Sequence, residues 1–159
     1  MKPRLYLETT IPSYLVARPS LDVRLLADQQ ATYEWWNLRR HEYDLFISET
    51  VLLEVSLGDA AFAAARLTAL RDISLLRDVP VAAELTQRLL DEAIIPPKAA
   101  DDATHLGLAA AHGMEYLLTW NCRHINNPML RRRIERACAA CGLECPVICS
   151  PVELMKGEP

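Results

Sequence analysis

Arg4-Leu5-Tyr6-Leu7-Glu8-Thr9-Thr10-Ile11-Pro12-Ser13-Tyr14 is the stretch whose reading decides the fold. Leu5, Tyr6 and Leu7 form an apolar run too short for a helical repeat and close to a turn signal, so they read as a buried strand. The run stops at an acid followed by two hydroxyls. Pro12 then fits the first turn of a helix, where its missing N–H is not needed. A carboxylate at the carboxyl end of a first central strand points into the crevice where open α/β sheets bind ligands. Burying an acid there is costly unless a cation or hydrogen bonds compensate. Two readings stand for Glu8: a member of a functional site, or a local structural residue, either a helix N-cap or hydrogen-bonded to the backbone of Thr9 and Thr10.

Outward from this stretch, strands and helices alternate. After Pro19-Ser20, the residues Val23, Leu26, Ala27, Ala31, Trp35 and Leu38 fall at helical spacing, which predicts an amphipathic helix over about 21–40. Trp35 and Trp36 read as core and interface residues, not as platforms for stacked bases. A second strand is expected over 43–47. Ser48 then caps a helix running to about Leu57, with Glu49 complementing its dipole. Val51, Leu52 and Val55 are apolar there, and Glu54 among them either lies on the solvent edge or turns inward. A helix over about 60–70, a strand over 73–76 and a helix over about 81–92 follow, and Ile94-Ile95-Pro96-Pro97 is a break.

The next helix, about 98–112, carries Asp101 and Asp102 in its first turns, where acids commonly just complement the dipole. The small and apolar run from Ala103 to Ala111 predicts that it is buried, with Gly113 as its C′ residue. A strand over 116–119 ends in Trp120-Asn121. A basic helix over about 127–140, a strand over 146–149 and a short turn capped by Ser150-Pro151 complete one expected domain, 1–155, with 156–159 as a frayed tail. Such alternation implies a mostly parallel sheet of about five strands, covered on both faces: a three-layer α/β/α domain.

At 159 residues and 51% apolar content the chain can bury a substantial core, and it is folded rather than disordered in class. No apolar run approaches the roughly 20 residues of a membrane span. Met1-Lys2-Pro3-Arg4 lacks the shape of a signal peptide, so a cytoplasmic location is expected. The net charge of −4 argues against a broad electrostatic grip on nucleic acid. Yet Arg123, Arg131, Arg132, Arg133 and Arg136 crowd the last third, which allows a local basic face. Cys138, Cys141, Cys145 and Cys149 do not form the two separated pairs usual for zinc; Cys138 and Cys149 read as small apolar residues of a helix and a strand. Glycine-rich phosphate loops, G-x-S-x-G elbows and H-E-x-x-H pairs are absent, so those enzyme classes lack support.

Glu8, Glu54, Asp102 and Asn121 follow or open elements whose ends converge on one edge of a parallel sheet with right-handed crossovers. Carboxylates gathered at one locus repel unless a cation joins them. Hard oxygen donors suit Mg²⁺ or Mn²⁺ rather than zinc. His105 and His112 read as helix-face residues, not ligands.

The pattern resembles the PIN domain, the nuclease fold of VapC-like toxins. The residues that carry the resemblance are Tyr6-Leu7-Glu8-Thr9-Thr10, Glu54 at the end of Ser48-Glu49-Thr50-Val51-Leu52-Leu53-Glu54, Asp102-Ala103-Thr104-His105-Leu106, and Leu117-Leu118-Thr119-Trp120-Asn121. They span the chain from position 4 to about 150. Two positions depart: Glu8 stands where the family usually has Asp, and Asn121 where it often has Asp. The resemblance implies a metal-dependent ribonuclease and probable toxin, with Glu8, Glu54 and Asp102 holding Mg²⁺ or Mn²⁺ and Asn121 as a fourth ligand. Thr10 and Asp101 would support the site. Arg123 or His124 either touches the RNA backbone or belongs to a solvated loop. A cognate antitoxin and a homodimer are the expected partners. The two departures leave open a catalytically weakened PIN fold that binds protein or RNA. A phosphatase on such a sheet would want an Asp nucleophile where Glu8 stands.

Overall fold

Arg4–Leu7 forms β1, and its Leu5, Tyr6 and Leu7 are fully buried, as befits a strand covered on both faces. In the computed structural model, which describes residues 1–156, β1 lies at the centre of a five-stranded sheet. The other strands are β2 (Asp44–Ser48), β3 (Ser74–Leu76), β4 (Tyr116–Leu118) and β5 (Val147–Cys149), in the order β3-β2-β1-β4-β5. All four pairings are parallel. Every connection contains a helix, so no tight hairpin is there to reverse a neighbour. Leu5 pairs with Leu45 on one side and Tyr116 on the other, and Tyr6 with Phe46 and Leu117.

From β1 the chain steps outward through β2 to β3, then crosses back to lay down β4 and β5 on the other side. The carboxyl ends of β1 and β4 therefore flank the point where the winding reverses, which is where open sheets form a crevice.

The helices are α1 (Thr10–Val16), α2 (Val23–Leu38), α3 (Glu49–Val55), α4 (Ala60–Leu70), α5 (Pro80–Asp91), α6 (Ala100–Ala111), α7 (Pro128–Ala140) and α8 (Pro151–Lys156). Side chains start several of them: Asp22 caps α2, Ser48 caps α3, Asp59 caps α4 and Asn127 caps α7. Gly113 follows α6 with φ +63°, the left-handed turn anticipated at that C′ position. α2 packs on α1 and α8, while α6 packs on α3 and α5. Cys138 and Cys149 are buried in the core, as small apolar residues would be.

Three details differ from the sequence reading. The segment expected as a helix from Lys98 begins as a 3₁₀ turn, Pro97–Ala99, before α6 proper; consecutive prolines delay regular helical bonding. The last turn is a short helix ending at Lys156, and the remainder of the expected tail lies outside the described residues. The apolar stripe of α2 is only partly its buried face. Thr32, Trp35 and Trp36 are buried, whereas Val23 and Leu38 are 79% and 59% exposed. Periodicity marks a face, but burial needs a neighbour, and α1 and α8 leave those positions in solvent.

One close approach holds α6 in place. A Cβ on Gly107 would lie 2.6 Å from the Ala82 carbonyl oxygen of α5 and against Thr86 Oγ1. Only glycine lets these helices meet so closely, and α6 carries Asp102 and His105 at a fixed depth beside the sheet.

Candidate active site

Glu8 sits directly beyond β1 and is 3% exposed. Its N–H donates to Leu118 O of β4 at 3.1 Å, so the sheet ladder places its Cα at the β1/β4 crevice. Two hydroxyls hold its carboxylate. Thr10 Oγ1 donates to Glu8 Oε1 at 2.6 Å, and Thr119 Oγ1 donates to the same oxygen at 2.6 Å. Thr10 N–H reaches Oε2 at 3.2 Å, so the backbone bond of the alternative reading is present too. Trp120 N–H donates to Thr10 Oγ1 at 2.8 Å, which ties the segment after β4 to the start of α1. Burial holds the Glu8 carboxyl above the ordinary range, and the His105 charge and the two threonine hydroxyls only partly offset it.

Glu54, in the last turn of α3, turns inward. Its Oε1 accepts from Thr9 Oγ1 at 2.8 Å and lies 2.6 Å from His105 Nε2. Its side chain keeps 28% exposure, so it forms part of the crevice rim. Burial pushes its pKa up, but the hydrogen bond and charge of His105, with Thr9, outweigh that and hold it below the usual carboxylate value.

Asp102, in the first turn of α6, pairs with His124: Nδ1 lies 2.8 Å from Oδ2, with both side chains largely buried. Asn121 makes a turn. Its Oδ1 accepts from His124 N–H at 3.0 Å, and its own N–H donates to Thr119 Oγ1 at 2.9 Å. Asp101 and Arg123 are exposed, and among the described residues neither side chain is hydrogen-bonded to this group.

Two histidines have particular surroundings. His105, read as a helix-face residue, lies on the buried face of α6, with Nδ1 2.7 Å from the Tyr6 hydroxyl and Nε2 on Glu54. Burial alone would lower its pKa, but the bond to Glu54 and the charges of Glu8, Glu54 and Asp102 raise it. One imidazole therefore feels all three carboxylates. His124 is not in a free loop but is held by Asp102. The available signal was spacing: Asp102 and His105 are three apart on one helix and so share a face. The partners Tyr6, Ser48 and Thr119 carried no signal of their own, because strand alternation says only which side of a sheet a residue takes.

Among the described residues, no three His, Cys, Asp or Glu side chains are grouped so as to hold a metal ion. The donor chemistry fits a hard cation all the same. Glu54 Oε2 and Asp102 Oδ1 make no hydrogen bond within the described residues, and both carboxylates are anchored through the other oxygen.

No family model matches the sequence, and no curated protein does. Solved structures do. The chain is similar to the crystal structure of VapBC2 from Rickettsia felis bound to a DNA fragment from their promoter, with TM-score 0.58, 16% identity, and coverage of 92% of this chain and 97% of that one. It is also similar to FitAcB from Neisseria gonorrhoeae, with TM-score 0.53, 17% identity and coverage of 93% and 98%. End-to-end agreement with these two, on an all-parallel sheet whose β1/β4 crevice holds the residues that carry the resemblance, gives the chain the PIN fold of VapC-like proteins.

Proposed function

We propose that the protein is a Mg²⁺- or Mn²⁺-dependent endoribonuclease of the PIN/VapC type, acting in the cytoplasm as the toxin of a toxin–antitoxin pair. The observation that carries this reading is the hydrogen-bonding around the acids: Thr119 joins Glu8 to Asn121, Asn121 holds His124, which holds Asp102, and Thr9 and the buried His105 hold Glu54. Glu8, Glu54 and Asp102 would hold the cation, with the neutral carboxamide of Asn121 as a further donor. Such a cation supplies charge that neutralises a phosphodiester and lowers the pKa of a water.

The chain's own residues do the orienting. Thr10 and Thr119 lock Glu8 through Oε1, Thr9 and His105 lock Glu54 through Oε1, and His124 locks Asp102 through Oδ2. Glu54 and Asp102 thus each keep one oxygen without a protein partner, whereas both oxygens of Glu8 are engaged, Oε2 by the Thr10 N–H. Arg123, just past Asn121, and the exposed Arg132 and Arg136 of α7 supply positive charge for an RNA backbone. Asp101 supports the site only by adding charge at the start of α6.

The likeness in fold to VapBC2 and FitAcB supports an antitoxin as the partner of this chain. Leu21, Val23, Leu25, Tyr33 and Leu38, exposed on and before α2, offer apolar surface to a second copy. No helix among the described residues is long and apolar enough to cross a membrane.

A second reading, a weakened PIN fold that binds RNA or protein, is favoured by the engagement of Asn121 Oδ1 in a turn. One experiment separates the two. Single-stranded RNA and a small phosphate ester are incubated with wild type and Glu54→Gln, with Mn²⁺ or with chelator. Metal-dependent RNA cleavage lost in the variant supports the nuclease; RNA binding without cleavage supports the second reading.

A further inference from the structure

We propose that His105 is a positioning residue: a buried strut of hydrogen bonds, starting and ending on α3, uses it to aim the Glu54 carboxylate into the crevice. The strut has four links. Val51 N–H donates to Ser48 Oγ at 3.4 Å. Ser48 Oγ lies 2.7 Å from the Tyr6 hydroxyl, which lies 2.7 Å from His105 Nδ1. His105 Nε2 lies 2.6 Å from Glu54 Oε1. It therefore crosses β2, β1 and α6 before returning to the helix it left.

Its direction follows from chemistry. An ionised carboxylate only accepts, so Nε2 must carry the hydrogen given to Glu54. With a neutral ring, Nδ1 accepts from the Tyr6 hydroxyl, and Ser48 completes the series by donating to the Tyr6 oxygen. With a charged ring, Nδ1 donates instead and Tyr6 turns toward Ser48. In both states Nε2 points its hydrogen at Glu54, so the strut does not depend on titration. Ser48, Tyr6 and His105 are each fully buried, and bulk water does not compete for these bonds.

A core built for stability alone would hold apolar side chains at these three positions. Here they serve one rim carboxylate. Glu54 stands at the end of a seven-residue helix with 28% of its side chain exposed, free to swing toward solvent. Thr9 and His105 together hold Oε1 and leave Oε2 without a hydrogen-bond partner among the described residues. Partners of this kind, behind a ligating carboxylate, are typically worth 10–100-fold in metal affinity or activity.

The inference rests on the nuclease reading, and its test keeps the two apart. Full-length wild type, His105→Gln, His105→Asn and Tyr6→Phe are compared for melting temperature and for kcat and KM on single-stranded RNA with Mn²⁺. Gln sets an amide N–H near the place of Nε2, whereas Asn sets one near Nδ1 and leaves Glu54 without its donor. His105→Asn is expected to lower kcat by roughly 10–100-fold with little change in KM. His105→Gln should recover most of that, and Tyr6→Phe, which keeps the ring in the core, should fall between. Nitrogen-15 NMR of wild type should show His105 protonated at Nε2. Equal activity in the Asn and Gln variants, or a ring protonated at Nδ1 alone, overturns the strut. If wild type cleaves no RNA with metal present, the nuclease reading fails, while the NMR spectrum still decides the hydrogen-bond direction.

Discussion

Gly107→Ala tests how closely α6 is pressed onto α5. In an exposed helix the change would stabilise, by about 1 kcal/mol, because alanine is the better helix former. Here the new methyl group would sit 2.6 Å from the Ala82 carbonyl oxygen and against Thr86 Oγ1, where carbon contacts prefer about 3.5–4.0 Å. The helices must separate by about 1 Å. That separation strains the packing by about 1–3 kcal/mol, occasionally more. It also disturbs the single hydrogen of Thr86 Oγ1, which is given to Ala82 O at 2.9 Å with Ala103 O 3.4 Å away, a bond worth about 0.5–1.5 kcal/mol.

Packing and hydrogen-bond losses exceed the gain in propensity, leaving a net destabilisation of about 1–3 kcal/mol. For a chain of 159 residues that is a fall in Tm of roughly 2–12 °C, at about 2–4 °C per kcal/mol. Thermal unfolding followed by circular dichroism reads it. Adding Thr86→Ala should recover only part of the loss, because the remaining obstacle is a backbone carbonyl that cannot rotate away. A Tm that is unchanged or higher in Gly107→Ala would refute the close approach. So would full recovery in the double variant.

Glu8→Gln should abolish most Mn²⁺ binding in titration calorimetry; wild-type affinity in this variant would remove Glu8 from the site. In metal-free protein the sign follows from its raised pKa: the stability linked to protonated Glu8 is present below the unfolded pKa and lost as pH rises through the folded one. Glu8→Gln should therefore melt above wild type at about pH 8, with the gap closing toward about pH 4, near the ordinary carboxylate value; a lower Tm throughout would count against it. Asn121→Ala should cost about 1 kcal/mol through the lost turn bond to His124, and Asn121→Asp should tighten Mg²⁺ binding. Unchanged metal affinity in both leaves Asn121 with the turn alone. Sedimentation at tens of micromolar, roughly the range in which a micromolar dimer persists, should show a dimer, and Val23→Glu should dissociate it; a clean monomer in wild type denies α2 that role.

Much of this architecture was legible before any coordinates. Leu5-Tyr6-Leu7 had to be a central strand because three consecutive apolar residues ahead of a turn need cover on both faces. The helical segments were readable from their caps and from the break at Pro96-Pro97, since capping and the missing proline N–H are local chemistry. The acids could be singled out for local reasons too: Glu8 ends an apolar strand, Glu54 sits among apolar residues of its helix, and Asp102 opens the small and apolar run of the next. Only the tertiary structure decided what holds them. Strand order sets β4 beside β1, which brings Thr119 across 111 positions to Glu8. The packing of α6 against α3 brings His105 to Glu54 and Tyr6. It also decided which part of the apolar stripe of α2 is covered: Trp35 is buried, while Val23 and Leu38 lie in solvent. Periodicity acts over a turn or two of chain, whereas these contacts depend on which elements pair and how closely helices approach, and neither is encoded within a single segment.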